Sequence, residues 1–227
     1  MNFRKISVMY EIKWSEKKDL KIIAQCHRSA FPKSLSSKMG ISYLKKMIEW
    51  YISDSKKFLF HVEENGICIG YCGGMIIDGT QPMGSASGML QYSFNEAVMA
   101  FALRPWLIFH PEFKEKYSLV KKNIKTKLGK KKITAKKDDK KNDIAKKDKF
   151  ETESGLVVIG VANEYLGKGY GTTLLKEFEK KTKEMKIKKM GLAVKSDNHR
   201  AIKSYERNGW KVDKENMGYF EMVKYPD

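Results

Sequence analysis

The chain has 227 residues, enough for one large domain with a buried core, and its 41% apolar and 11% aromatic content excludes a fibrous or wholly disordered protein. With 45 basic against 27 acidic side chains the net charge is +18, a balance that raises nucleic acid, anionic membrane or phosphate-rich ligands as partners. The excess is local: residues 121–149 hold 14 lysines and 4 aspartates, so this run supplies +10 and the rest of the chain +8.

The N-terminal sequence has no apolar run that could serve as a signal peptide. The most apolar stretch, 97–109, is interrupted by Arg104 and Pro105 and falls short of the roughly 20 residues that span a bilayer. Cys26, Cys68 and Cys72 are too few and too irregular for a disulfide framework, and no CxxC pairs with histidines, so no metal is expected and a reducing, cytoplasmic setting is.

Tyr10 to Trp14 alternates as a short strand would, and Leu20 to Phe31 repeats its apolar residues at helical spacing until Pro32. Ile41 to Ile52 places Tyr43, Leu44, Met47, Ile48 and Tyr51 along one face of a second helix. Phe58 to Val62 and Ile67 to Ile77 form a hairpin around Glu63, Glu64, Asn65 and Gly66, with Cys68 and Cys72 expected on one strand face as small core residues. From 78 to 154 the pattern loosens into an insertion: a Gly/Pro/Ser-rich start, a helical apolar segment over 94–109, and the lysine run, with too little to bury and too much self-repulsion to fold.

Order resumes with a strand from Leu156 to Val161, a glycine-rich turn, a helix over 169–185, a strand from Met190 to Val194, a short helix over 201–207 and a last strand over 217–224. Strand, helix, parallel strand is a right-handed crossover, with ligand expected beyond the carboxyl end of its first strand. Gly160, in an otherwise β-branched run, suits a bulge or a close approach, or is merely tolerated near a strand end.

Gly167, Gly169 and Gly171 alternate where strand hands over to helix. Such a turn lets backbone amides at the helix start approach an anion; it equally serves as a tight packing turn. A P-loop is excluded, since no GxxxxGK followed by Ser or Thr exists. A dinucleotide fingerprint is excluded too, because its third glycine would fall on Thr172.

The string Leu166, Gly167, Lys168, Gly169, Tyr170, Gly171 resembles the Q/R-x-x-G-x-G/A signature of the GCN5-related N-acetyltransferase (GNAT) superfamily, with Leu166 where Gln or Arg is usual. Downstream, Leu192, Val194, Asn198, Ala201, Ile202, Tyr205, Gly209 and Trp210 fall on the family's LxVxxxNxxAIxxYxxxGF pattern, with Trp for the final Phe. The resemblance implies an α/β GNAT fold, a mixed sheet in a single domain over 1–227, with 78–154 as a long insertion between the third and fourth strands and 155–212 as the acetyl-CoA-binding core.

It also implies roles. The backbone of Leu166 to Gly171, continued by Thr172, would bind the pyrophosphate of acetyl-CoA. Ile159, Gly160 and Val161 would pair with its pantetheine amides where the fourth and fifth strands splay. Asn198 would contact the pantetheine arm or order its loop, and by residue type it is also a helix N-cap. Tyr205 resembles the family's general acid, the alternative being a packed core aromatic.

The general base is not legible: Glu151, Glu153, His61 and His110 are candidates on position alone. The implied partner is a small-molecule amine, not a nucleic acid. The segment AFPKSLSSKMGISYLKKM loosely resembles members that acylate sugar amines, making a nucleotide-linked amino sugar the first acceptor to consider. A non-catalytic CoA-binding module and a protein-amine acetyltransferase are the alternatives. The 94–109 segment, with Trp106, could wall the acceptor site, form a homodimer contact or add core packing.

Overall fold

A computed structural model describes residues 10–81, 84–115, 117, 118, 120, 121 and 151–226; the lysine run from 122 to 149 lies outside them. Among the described residues, seven strands form one sheet. They are β1 (Glu11–Trp14), β2 (Lys57–Glu64), β3 (Ile67–Ile77), β4 (Glu153–Val161), β5 (Met190–Lys195), β6 (Lys211–Asn216) and β7 (Tyr219–Lys224), in spatial order β1-β2-β3-β4-β5-β7-β6. Only β4 and β5 are parallel. The helices are α1 (Leu20–Ala30), α2 (Leu35–Met39), α3 (Ile41–Glu49), α4 (Ser85–Tyr92), α5 (Phe94–Leu103), α6 (Tyr170–Glu184) and α7 (His199–Arg207); a further helical stretch covers 111–115. The expected mixed sheet with its insertion between the third and fourth strands is the observed architecture.

Two apolar clusters sandwich the sheet. Phe60, Val62, Ile69 and Cys72 pack with Leu174, Leu175 and Phe178 of α6 and with Trp210 on one face; Leu59 and Tyr71 pack with Ile23, Leu44 and Ile48 of α1 and α3 on the other. Fully burying each large side chain contributes about 1.5–3 kcal/mol, so these clusters dominate stability. Packing leaves no room at Gly74, where a Cβ would sit 2.4 Å from Phe58 Cζ and 2.9 Å from Phe178 Cε2.

Cys68 and Cys72 do not share a face. A register shift in the β2–β3 ladder, where Val62 pairs with Gly70 but Glu63 with Cys68, inserts one residue and reverses the alternation. Cys68 therefore joins the α1 cluster and Cys72 the α6 cluster. The second bulge is at Val157, between the pairs Gly73–Val158 and Gly74–Leu156, and not at Gly160. At Gly160 the close approach is that of side chains, with a Cβ 2.8 Å from Phe31 Cε2 and 3.0 Å from Tyr71 Cε1.

The insertion has its own packing. Ala97, Ala100 and Leu107 join Leu35, Met39 and Tyr43 in a third cluster, so α5 docks on α2 and α3. The apolar 94–109 segment is not one helix: α5 ends at Leu103, and Pro105 opens a 3-10 turn through Phe109, as expected when proline removes a helix donor.

Candidate active site

The site begins where β4 and β5 part. Their ladder has three pairs, Ser154–Met190, Gly155–Gly191 and Leu156–Leu192. Beyond these, β4 stays paired with β3 through Val161 and β5 with β7 through Lys195, so a gap opens between them. Alternate backbone groups of 157–161 turn away from β3 into that gap, where no strand pairs with them. Val157, Val158 and Ile159 are each only half-buried, as expected of residues lining an opening.

The glycine turn sits at the carboxyl end of β4. Gly167 (φ 80°) and Gly169 (φ 91°) occupy the left-handed region, and Gly169 is the N-cap of α6 with no side chain capping it. The first helical bond along α6 is from Thr173 N–H to the Gly169 carbonyl, which leaves the amides of Tyr170, Gly171 and Thr172 without intrahelical acceptors. A Cβ on Gly167, Gly169 or Gly171 would meet nothing within 4 Å. Tight packing therefore does not explain these glycines: Gly167 and Gly169 supply left-handed backbone, and the open space at all three positions beside free amides fits a phosphate group.

The side chains around the turn are otherwise engaged. Tyr170 lies edge-on to Tyr10 and Tyr165, with ring centroids 5.5 and 6.0 Å apart, and the Lys168 ammonium stands 5.0 Å over the Tyr165 ring. Thr172 Oγ1 accepts from Asn208 Nδ2 at 3.4 Å, joining α6 to the end of α7. Leu166 is 39% exposed and offers the turn no polar group.

Tyr205 lies on α7, its ring 6.2 Å from that of buried Trp210 and packed on the same cluster as Ile159 and Val161. Burial pushes its pKa up to about 12, and the Cys72 thiol adds to the rise. The group keeps its proton at neutral pH. Asn198 caps α7, its Oδ1 accepting from Ala201 N–H at 3.2 Å. Ile159, Val161 and Tyr205 thus pack against one cluster and the glycine turn follows the end of β4, while Asn198 is bound into the start of α7.

The base candidates do not converge there. Glu153 pairs with Lys189 at 3.0 Å at the closed end of the β4–β5 ladder, and Glu151 is exposed outside the strand. His61 is fully buried against β1, with Nδ1 2.8 Å from Ser15 Oγ, and burial lowers its pKa. His110 Nε2–H donates to the Lys33 carbonyl at 3.1 Å while Nδ1 accepts from the Glu112 amide, which makes it a strut between insertion and body.

What sequence reasoning missed is how the insertion meets the gap. Glu112 and Glu115 lie on one face of the 111–115 helix; Glu112 Oε1 accepts from Leu35 N–H at 3.3 Å, and Glu115 Oε2 pairs with Lys195 at the end of β5, also at 3.3 Å. Ser29 of α1 in turn accepts from Asn163 N–H, just past β4, at 3.1 Å. The insertion therefore ties the α1–α2 segment to the strand on the far side of the gap. Spacing of the two glutamates by three residues was the only signal for it.

Residues 133–210 match the Acetyltransferase (GNAT) family. That match spans about a third of the chain and covers the glycine turn, β5 and α7. Solved GNAT-fold structures align along nearly all of the chain. PaiA N-acetyltransferase from Thermoplasma acidophilum, in complex with coenzyme A, is 16% identical at a TM-score of 0.52, covering 96% of this chain and 99% of its own. The ribosomal-protein-S18-alanine N-acetyltransferase of Escherichia coli is 14% identical at 0.52, covering 96% and 95%. The spermidine/spermine N-acetyltransferase SpeG of Vibrio cholerae, in mutant forms, is 13% identical at 0.51, covering 96% and 94%. No curated protein sequence matches the chain. At these identities the likenesses show a shared fold.

Proposed function

We propose that this chain is an acetyl-CoA-dependent N-acetyltransferase of the GNAT type acting on the primary amine of a small molecule, as one domain whose 155–212 core binds the cofactor and whose 78–154 insertion borders the acceptor side. What supports the reading is the combination of an unpaired β4 edge, an open glycine turn past its carboxyl end, and Tyr205 packed against the cluster that Ile159 and Val161 also meet.

In this reading the backbone of Leu166 to Thr172 holds the pyrophosphate, with Lys168 supplying a positive charge, and the edge at Ile159, Gly160 and Val161 holds the pantetheine amides. Asn198 orders the loop along that arm. Acetyl-CoA, when bound, supplies an acyl group activated as a thioester. Tyr205 keeps its proton on Oη at neutral pH because burial disfavours the phenolate, so it is suited to donate to sulfur. Buried, free Cys26, Cys68 and Cys72 fit a cytoplasmic setting.

A nucleotide-linked amino sugar is the first acceptor to test, because the α1–α3 segment that meets the insertion carries the resemblance to sugar-amine acylating members. Free-thiol release from acetyl-CoA, measured with amino sugars, polyamines and peptide N-termini, tests the reading; release with the sugars and not the peptides supports it. Leu166, apolar and exposed where the family has Gln or Arg, favours a second reading: a CoA-binding module without turnover. Binding of CoA with no thiol release for any amine would select that one.

A further inference from the structure

The surface of the insertion is built inside out. Between 97 and 111 there is no acidic residue, and the two polar side chains that can carry charge, Arg104 and His110, both turn toward the body. The Arg104 guanidinium donates to the Met39 carbonyl at 3.3 Å beside Gly40, and His110 donates to Lys33. The large apolar side chains point the other way. Met99 is 59% exposed, Leu103 67%, Trp106 62% and Phe109 73%, with Val98 and Ile108 about half exposed beside them.

On α5, positions 98, 99, 102 and 103 form one outward stripe, while Ala97 and Ala100 face α2 and α3. A contiguous apolar face rimmed by polar groups that turn away from it marks an interaction surface.

We infer that this face, from Val98 to Phe109, docks the protein on an anionic lipid bilayer. Charge complementarity selects that occupant. The described chain leaves the patch through the 111–121 region, and residues 121–149 of the sequence carry the +10 run. Apolar residues with an interfacial tryptophan next to a polybasic sequence suit an anionic membrane surface. Among the described residues no helix is long and apolar enough to cross a membrane, so the mode is peripheral.

The test is sedimentation of the full chain with vesicles of phosphatidylcholine alone and with roughly 30% phosphatidylserine added. The expected result is binding to the anionic vesicles only, weakened by salt, with a blue shift of tryptophan emission that Trp106→Phe removes. The Trp106→Glu/Phe109→Glu pair, on exposed side chains, should keep the wild-type melting temperature and bind at least about tenfold more weakly. Should that pair misfold, Met99→Gln/Leu103→Gln serves in its place. Absence of sedimentation, undiminished binding by both pairs, or a wild-type dimer that the substitutions convert to monomer would overturn the inference; the last would assign the face to a second copy.

Discussion

Leu156 of β4 faces Leu192 of β5 on the last rung of their parallel ladder, both buried, and one residue further along the strands separate. The bulge at Val157 falls at that point, and bulges sharpen local twist, so it turns β4 away from β5 while leaving its bonds to β3 in place. The unpaired edge that results is costly unless something pairs with it. An extended amide-bearing ligand arm answers that need.

Gly171→Ala separates ligand space from structural need. Gly171 has ordinary helical backbone, and the place its added methyl would take has no neighbour within 4 Å, so alanine should leave stability unchanged or raise it by up to about 1 kcal/mol. If the amides cradle phosphate, CoA affinity measured by calorimetry should fall roughly tenfold, about 1.4 kcal/mol, without a drop in melting temperature.

Gly169→Ala should behave differently. At φ 91° it forces an L-residue into the left-handed region, costing about 1–2 kcal/mol of stability in chemical denaturation in addition to weakening CoA.

For Tyr205→Phe the ring keeps its packing on Trp210, so the melting temperature should hold while kcat falls by about 10²-fold or more. The pH profile carries the sign. A group needed in its protonated form, with its pKa raised to about 12, is lost only as pH climbs toward that value. Wild-type turnover should therefore show no alkaline fall from this residue between about pH 8 and 10.

How far these features were legible differs along the chain. The crossover from β4 to β5 was readable because glycines punctuate it and the α6 and α7 apolar positions are periodic. The strand β6 was not: Lys211–Asn216 is exposed at every residue and shows no alternation, so only its pairing with β7 makes it a strand. The helix α2 hides among serines, starting at Ser34, whose side chain accepts from Ser37 N–H, and burying Leu35 and Met39 one turn apart. The opposed faces of Cys68 and Cys72 depend on a one-residue register shift, which no local pattern encodes.

Acid should destabilise the fold through His27. Its ring is buried between the Tyr71 hydroxyl and Ser36 Oγ, and burial lowers its pKa from 6.5 to about 4. The folded state thus binds the proton less readily than the unfolded chain. The stabilisation is complete above about pH 6.5 and is lost as pH falls through about 4, on the order of 3 kcal/mol in all. Urea midpoints across this window, compared with His27→Gln, should show a shallower acid dependence in the variant.

Thiol release from acetyl-CoA by the wild-type chain, titrated with primary amines and compared with Tyr205→Phe, tests the central claim most directly. Amine-dependent release that drops about a hundredfold in the variant, at unchanged CoA affinity, is the predicted result. Release that is absent for every amine, or equal in the two proteins, would contradict it.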